Sequence, residues 1–170
     1  MLLVIYYCGR ILNFSGHPNP NLNIVDPASY VSMPEFKTEI RVTWVDTDAA
    51  GIVHFSNHFR FFERAEEDLL RRIGLSYSLI RSKYGIGIPK VEAHCKYLAP
   101  LKHDDIIQVS VLVDDIKEKT FKEEFRAINI AGDILAAEGY IVCVALSIET
   151  GRSIPLPLDI VTKLKAFSKS

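Results

Sequence analysis

The chain has 170 residues, with 20 Lys plus Arg against 21 Asp plus Glu, and a formal net charge of −1. A near-neutral chain of this kind lacks the basic patch that displaces counterions from nucleic acid, so we expect no nucleic-acid partner. This length is most simply one domain, large enough to bury about 70% of the surface that the unfolded chain exposes.

The cysteine pattern indicates a reducing compartment. Cys8, Cys95 and Cys143 are odd in number, and none belongs to a C-x-x-C pair. Such usage predicts neither a disulfide scaffold nor a zinc site, so we expect a cytoplasmic location and no metal. No apolar run reaches the roughly 18 residues that a membrane-spanning helix requires. The apolar start MLLVIYYCGRILNF lacks the basic region of a signal peptide and contains Arg10.

Residues 13–34 are rich in Asn, Pro, Ser and Gly, a composition typical of irregular sequence. Regular patterning begins just after Met33, which is itself a candidate start. We therefore predict an irregular leader over residues 1–34 and a folded domain over residues 35–170. Residues 1–32 are expected to be dispensable for stability.

The first patterned segment alternates between two classes of side chain. Apolar and charged residues take opposite parities: Phe36, Ile40, Val42 and Trp44 against Glu35, Lys37, Glu39 and Arg41. This alternation predicts a half-buried strand.

The period changes to that of a helix from Asn57. Ser56 or Asn57 can cap the start of this helix, and Gly74 suits the position just past its end. Four apolar side chains form the predicted buried stripe: Phe59, Phe62, Leu69 and Ile73. A second, shorter helix is predicted over residues 78–84, before Gly85.

The remaining sequence favours strands. Four segments carry the signal: GIPKVEAHCKYLAP, DIIQVSVLVDDI, TFKEEFRAINI and ILAAEGYIVCVALSI. The last is apolar on both parities, which predicts a central strand covered on both faces. A short helix over residues 158–167 is predicted to close the chain.

Five strands and one long amphipathic helix predict an α+β fold. The helix can bury its apolar stripe only if the sheet curves around it. We therefore expect a curved antiparallel five-stranded sheet wrapped around one long central helix. A single helix covers one face of a sheet, so the doubly apolar segment 134–146 also predicts a partner chain. We therefore expect a homo-oligomer, either a dimer or a tetramer.

The junction of the first strand with the long helix, WVDTDAAGIVHFSNHFRFFERA, concentrates groups suited to chemistry. Backbone N–H groups at a helix start lack internal partners and carry the positive end of the helix dipole, so they can hold an oxyanion. Gly51 allows the backbone to approach a ligand closely. A carboxylate facing these donors, such as Asp48, can attack an acyl carbon or deprotonate a water that does so.

Structural interpretations compete with these chemical ones. Asp46 and Asp48 both suit turns, in which Asp bonds the backbone two residues on, and we expect Asp46 to be structural. His54 and His58 have the i, i+4 spacing of a metal pair, but no third ligand is evident, so exposed or hydrogen-bonded imidazoles are the favoured interpretation. Glu66 lies near the apolar stripe and is a second candidate carboxylate.

The motif DTDAAGIVHFSNHFRFFERA, followed by CKYLAPLKHDDIIQV, resembles the 4-hydroxybenzoyl-CoA thioesterase family, including its Tol–Pal-associated acyl-CoA thioesterase branch. The resemblance covers residues 35–154. It implies the hotdog fold, in which a curved antiparallel sheet surrounds one helix. It also implies hydrolysis of an acyl-CoA substrate without a cofactor, at a site shared between subunits.

By motif position, the resemblance implies that Asp48 is the nucleophile or general base and that the backbone N–H of Phe55 binds the oxyanion. Related enzymes often carry a histidine at the position of Phe55, whereas this chain has His54 one residue earlier. The predicted substrate-binding residues are those of the same stretch: Gly51, His54, Asn57 and Phe59. Two alternatives are a hotdog module that binds acyl-CoA without turnover and a hotdog dehydratase or hydratase, although the D-x-x-x-x-H pair of the latter is absent.

Overall fold

A computed structural model describes residues 35–168 of the chain. The predicted leader, residues 1–34, lies outside the described residues. The helices are α1 (Asn57–Arg72), α2 (Tyr77–Tyr84) and α3 (Leu158–Lys165). The strands are β1 (Phe36–Arg41), β2 (Ile86–Gly87), β3 (Lys90–Tyr97), β4 (Ile106–Asp114), β5 (Thr120–Asn129), β6 (Ile134–Val144) and β7 (Leu146–Ser147).

The main sheet has five strands in the order β1-β4-β5-β6-β3, and every neighbouring pair is antiparallel. The short strands β2 and β7 form a separate antiparallel pair. Helix α1 packs against β1 and β4, and the Phe62 ring of α1 stacks on Phe125 of β5 with ring centroids 4.7 Å apart. The α+β hotdog arrangement predicted from the sequence is confirmed.

The buried face of α1 is rotated relative to the predicted stripe. Phe62 and Leu69 are fully buried as expected, whereas Phe59 and Ile73 are only partly buried at the edge of the core. The side chains that α1 buries are His58, Phe61, Phe62, Ala65, Glu66, Leu69 and Leu70. The sequence prediction missed this face because it interrupts apolar residues with His58 and Glu66.

Two predictions about strands are wrong. Strand β1 ends at Arg41, and Trp44 lies in a 3₁₀ turn (Trp44–Asp46) with 80% of its surface exposed. Strand β6 lies between β5 and β3, so it is an interior strand as predicted, but it is not covered on both faces. Its outer side chains Tyr140, Val142 and Val144 are only half-buried, because α1 covers one face of the sheet and nothing within residues 35–168 fully covers the other.

Strand β3 forms one edge of the sheet, since it pairs with β6 alone. All of its residues except Cys95 are exposed, including Val91 at 61% and Tyr97 at 43%. An open edge with exposed apolar side chains can accept another strand. None of the helices within residues 35–168 is long and apolar enough to cross a membrane.

Gly139 of β6 provides a test of this packing. A Cβ at Gly139 would lie 2.3 Å from the backbone oxygen of His94 and 3.0 Å from Cε2 of Phe62. Gly139→Ala should therefore force apart β3, β6 and α1 and lower the free energy of unfolding by about 1–3 kcal/mol or more. Gly87→Ala is the control, because the nearest atom to its Cβ would be Pro89 Cδ at 4.0 Å. Equal urea midpoints for the two variants would contradict the described packing.

Candidate active site

A tight hairpin connects β1 to α1 and carries most of the predicted site. Thr47 and Val53 form a β-bridge, and the N–H of Asp48 donates to the Ile52 carbonyl at 2.9 Å. The N–H of Gly51 donates to the Asp48 carbonyl at 2.9 Å and closes the turn. Gly51 has φ +74, a left-handed conformation that glycine adopts without strain. The DTDAAG stretch thus forms a defined turn with Asp48 at its first corner.

The carboxylate of Asp48 is held by its own turn. Its Oδ1 accepts a hydrogen bond of 2.8 Å from the N–H of Ala50, and the side chain is half-buried. Asp48 therefore makes the hydrogen bond to the backbone two residues on that is typical of an aspartate in a turn. The sequence analysis left this role open beside a catalytic one. Within residues 35–168 no group donates to Oδ2. The turn therefore fixes the carboxylate through one oxygen and leaves the other available.

Asp46 has the structural role expected of it. Its side chain is buried, and Oδ2 accepts hydrogen bonds from the Thr43 N–H at 2.8 Å and the Thr43 hydroxyl at 2.6 Å. Its carbonyl accepts from the His54 N–H at 2.9 Å and from Nδ2 of Asn57 at 2.8 Å. Asp46 thereby joins the end of the 3₁₀ turn to the start of α1.

The turn before α1 presents the predicted oxyanion donor. Phe55 precedes the first residue of α1 by two positions, and its ring is 63% exposed. Its backbone N–H has no hydrogen-bond partner among the described residues. The Ser56 side chain does not cap α1; its Oγ lies 2.8 Å from Nδ1 of His54 instead. An unpaired N–H beside a helix start is the kind of donor that stabilises an oxyanion.

The other predicted substrate residues lie in the same region. His54 is half-buried and its ring lies 4.4 Å from that of Phe55. Asn57 uses its amide to hold the Asp46 carbonyl. Phe59 is half-buried, with its ring centroid 6.1 Å from that of Phe62. The structure brings Asp48, His54, Phe55 and Asn57 together on the hairpin and helix start, with Phe59 in the first turn of α1.

The later stretch CKYLAPLKHDDIIQV, in which Tyr97, Pro100 and Asp105 form the pattern Y-x-x-P-x-x-x-x-D, supports the hairpin. The Val53 N–H donates to the Leu101 carbonyl at 2.8 Å, and the Val42 N–H donates to the Asp105 carbonyl at 2.8 Å. Oδ2 of Asp105 accepts from the Lys102 N–H at 2.7 Å and closes the loop after β3. The motif's aspartate is therefore a turn residue that fixes the segment on which the hairpin rests.

His58 differs from the sequence prediction of an exposed or hydrogen-bonded imidazole. Its ring is buried between Phe61 and Tyr97, with centroids 6.1 Å and 5.0 Å away. Its Nδ1 has no hydrogen-bond partner among the described residues. Burial lowers the pKa of His58 to about 4, so the imidazole is neutral near pH 7. His54 and His58 thus occupy different environments.

The sequence analysis also missed an interior polar cluster. Glu66, Glu123 and Cys143, all buried, bring three metal-ligating atoms within 4.8 Å of one another. None of the three belongs to the hairpin. Glu123 was detectable, because it shares its parity with Phe121 and Phe125, which face the core.

The pKa of His58 generates a testable pH dependence. Because the folded-state pKa of about 4 lies below the ordinary value of 6.5, the stability linked to His58 is fully present above pH 6.5 and is lost as pH falls towards 4. The whole effect is about 3 kcal/mol at most. Urea unfolding measures the free energy of unfolding at pH 7 and at pH 5. The loss between these two pH values that is due to His58 should be absent in His58→Phe. The exposed control His103→Gln should retain it, and an unchanged profile in His58→Phe would refute the assignment.

Comparison with known proteins agrees with this architecture. The family model of the thioesterase-like superfamily matches residues 42–164 of this chain. An Aquifex aeolicus protein, whose name places it provisionally among the esterases, is 34% identical over 126 residues, covering 74% of this chain and 94% of its own length. The 1,4-dihydroxy-2-naphthoyl-CoA hydrolase of Thermosynechococcus vestitus is 33% identical over 118 residues, covering 69% of this chain and 81% of its own length.

A solved structure supports the same placement. An Aquifex aeolicus protein of unassigned function superposes with a TM-score of 0.71 at 31% identity, covering 76% of this chain and 98% of that one. The family match spans the hairpin that carries Asp48, α1 and the strands from β2 to β7, and it begins just after β1. The chain therefore belongs to the thioesterase-like superfamily.

Proposed function

We propose that this chain hydrolyses acyl-CoA thioesters at the hairpin and α1 start, with Asp48 as nucleophile or general base. The class of enzyme, a thioester hydrolase, agrees with the family to which the chain belongs. The observation that supports the role of Asp48 is the geometry of its carboxylate. One oxygen is fixed by the Ala50 N–H, and the second has no donor among the described residues.

The reaction needs a nucleophile and a donor for the developing oxyanion. The carboxylate of Asp48 is the proposed nucleophile or general base. It either attacks the thioester carbonyl directly, forming an anhydride that water then opens, or removes a proton from an attacking water. The Phe55 N–H and the dipole of α1 stabilise the negative charge on the carbonyl oxygen. The thiolate of CoA leaves and takes up a proton, so the products are a free acid and CoA.

An aromatic acyl group is the substrate class that we propose. The Thermosynechococcus vestitus relative is named for a naphthoyl-CoA, and the motif resembles the 4-hydroxybenzoyl-CoA thioesterase branch. Phe55 is largely exposed beside the unpaired N–H, and Phe59 is half-buried one turn into α1. These two rings can pack against a flat acyl group, while Gly51, His54 and Asn57 border the thioester.

A homo-oligomer with shared sites completes this proposal. The edge strand β3 is open and exposed, and its last residue, Tyr97, contacts His58 in the first turn of α1. A second copy pairing along β3 would therefore lie next to the proposed site and supply part of the acyl pocket. This open edge supports the dimer or tetramer expected from the sequence.

One observation favours a second candidate function. The bond from Ala50 to Asp48 is a common turn interaction that needs no catalytic role. A module that binds acyl-CoA without hydrolysing it would keep this turn and the α1 start. Binding of acyl-CoA with no release of free CoA would identify this alternative.

The test of the proposal is Asp48→Asn. This substitution keeps the oxygen that the Ala50 N–H binds but removes the charge, so kcat should fall by roughly a hundredfold or more, with little change in KM. Turnover is measured on 1,4-dihydroxy-2-naphthoyl-CoA, 4-hydroxybenzoyl-CoA and an aliphatic acyl-CoA. The matched control is Asp46→Asn, which should lower stability and leave kcat close to normal. Near-normal turnover by Asp48→Asn would end the case for this residue.

The oligomer is tested by light scattering at micromolar concentration, where no monomer is expected. Val91→Lys should weaken the assembly, because it places a charge on the exposed edge strand. Ile130→Lys is the control, since Ile130 is also exposed, at 44%, but lies in the loop after β5. A fully active monomer of the unmodified chain would refute the shared site.

A further inference from the structure

The interior of the domain contains a polar cluster that the proposed reaction does not use. Five elements contribute one side chain each: Glu66 (α1), Tyr77 (α2), Lys90 (β3), Glu123 (β5) and Cys143 (β6). Glu66 is 1% exposed, and Glu123 and Cys143 are fully buried. Polar groups so deep in a core are costly unless their charges and hydrogen bonds are balanced.

Lys90 lies at the centre of this cluster. Its ammonium forms an ion pair with Oε1 of Glu66, donates to the Tyr77 hydroxyl at 3.0 Å, and lies 3.3 Å from Sγ of Cys143. Burial is the largest single effect on Lys90 and opposes its charged form, but the neighbouring acidic groups, Glu66 first among them, together outweigh it and raise the pKa of Lys90. The lysine is therefore a permanent cation that balances one carboxylate.

The second carboxylate has no such balance. Glu66 and Glu123 together carry two negative charges when both are ionised, against the single positive charge of Lys90. Burial raises the pKa values of Tyr77 and Cys143, so both remain uncharged. Although Lys90 itself reaches the surface, the two carboxylates are 1% and 0% exposed, and a second negative charge at that depth is strongly disfavoured.

The hydrogen bonds show the same deficit. Three buried side-chain nitrogen or oxygen atoms lack a partner within residues 35–168, and two of them are Oε2 of Glu66 and Oε1 of Glu123. Oxygens of the two carboxylates lie within 4.8 Å of each other. Two carboxylates accept hydrogen bonds but cannot donate to each other, whereas a carboxyl group can donate to a carboxylate. One proton supplies the missing donor and the missing positive charge together.

A metal ion is the competing occupant, since Glu66, Glu123 and Cys143 are all metal-ligating residues. Lys90 argues against it, because the ammonium already contacts Glu66 and lies beside the Cys143 sulfur. A divalent cation would need to displace Lys90 or bear its repulsion.

We propose that the Glu66–Glu123 pair holds one proton in the folded protein at neutral pH, with Lys90 as the fixed counter-ion. The proton resides on Glu123, because Lys90 stabilises the ionised form of Glu66 by direct contact. The five residues of the cluster thus form a proton-dependent contact between helices α1 and α2 and strands β3, β5 and β6.

This proton-dependent contact makes the stability of the folded protein fall as pH rises. Burial and the nearby Glu66 carboxylate raise the pKa of Glu123 well above its ordinary value of 4.5. The stability linked to the proton is therefore fully present below pH 4.5 and is lost progressively as pH rises towards the folded-state value. This direction is opposite to that of His58, so the two effects are separable by variants.

The direct test is carboxyl-carbon NMR of the full chain with labelled glutamate, recorded from pH 3 to pH 9. One glutamate resonance should remain at its protonated position at pH 7, and it should disappear in Glu123→Gln. If that variant fails to fold, the same resonance in Glu66→Gln identifies the site, because removing the Glu66 charge shifts its titration to lower pH. A wild-type spectrum in which every glutamate is ionised at pH 7 would overturn the proposal.

Unfolding experiments test the consequence. The urea midpoint of the wild type relative to Glu123→Gln should fall between pH 5 and pH 8, because the amide carries the shape of a protonated carboxyl at every pH. The matched control is Glu124→Gln, whose side chain lies on the outer face and pairs with Lys122, and which should keep the wild-type pH dependence. A zinc-induced rise in melting temperature with release of protons, absent in Glu123→Gln, would assign the cluster to a metal and refute the proton.

Discussion

The burial of α1 against one face of the five-stranded sheet is the constraint on which the rest of the structure depends. The Phe62 ring stacks on Phe125, and Gly139 leaves no room for a side chain beside it. This contact fixes the axial position and rotation of α1. The start of α1, and therefore the turn that presents the Phe55 N–H, is positioned by packing at Phe62, between one and two turns further along the helix.

The hairpin before α1 carries Asp48 and leads into the turn with Phe55, so it holds the residues of the proposed site. Asp46 holds Thr43, His54 and Asn57 through hydrogen bonds, those to Thr43 and Asn57 being part-buried, while the Val53 N–H attaches the hairpin to the Leu101 carbonyl. The groups of this region without a partner in the described chain include Oδ2 of Asp48 and the N–H of Phe55, on which the proposed hydrolysis depends.

The interior cluster shows that the same helix serves two polar functions. The first turn of α1 faces the proposed acyl site, while Glu66, two turns later, points into the core. A carboxylate at that depth is retained only with a counter-ion and a proton or comparable donor. The stability of α1, and thus of the site at its start, is tied to the protonation of residues that do not touch the substrate.

Much of this protein was determined by local sequence. The α+β fold was predicted from signals that are local in sequence. These are the alternation in β1 and β4, the helical period after Asn57 and the helix-ending glycine at position 74. The motif likewise located Asp48 on the hairpin and Phe55 just before α1, because a hairpin and the helix that follows it are contiguous in sequence.

Tertiary structure decided what depends on distant partners. The rotation of α1 that buries Phe61 and leaves Phe59 at the margin is set by contacts with the sheet, and no periodicity reports it. The single covered face of β6 is decided by which elements pack there. The meeting of Glu66 with Glu123 and Lys90 joins residues 24 or more positions apart in sequence. Charge balance between such residues is a property of the folded interior, so the sequence alone does not specify it.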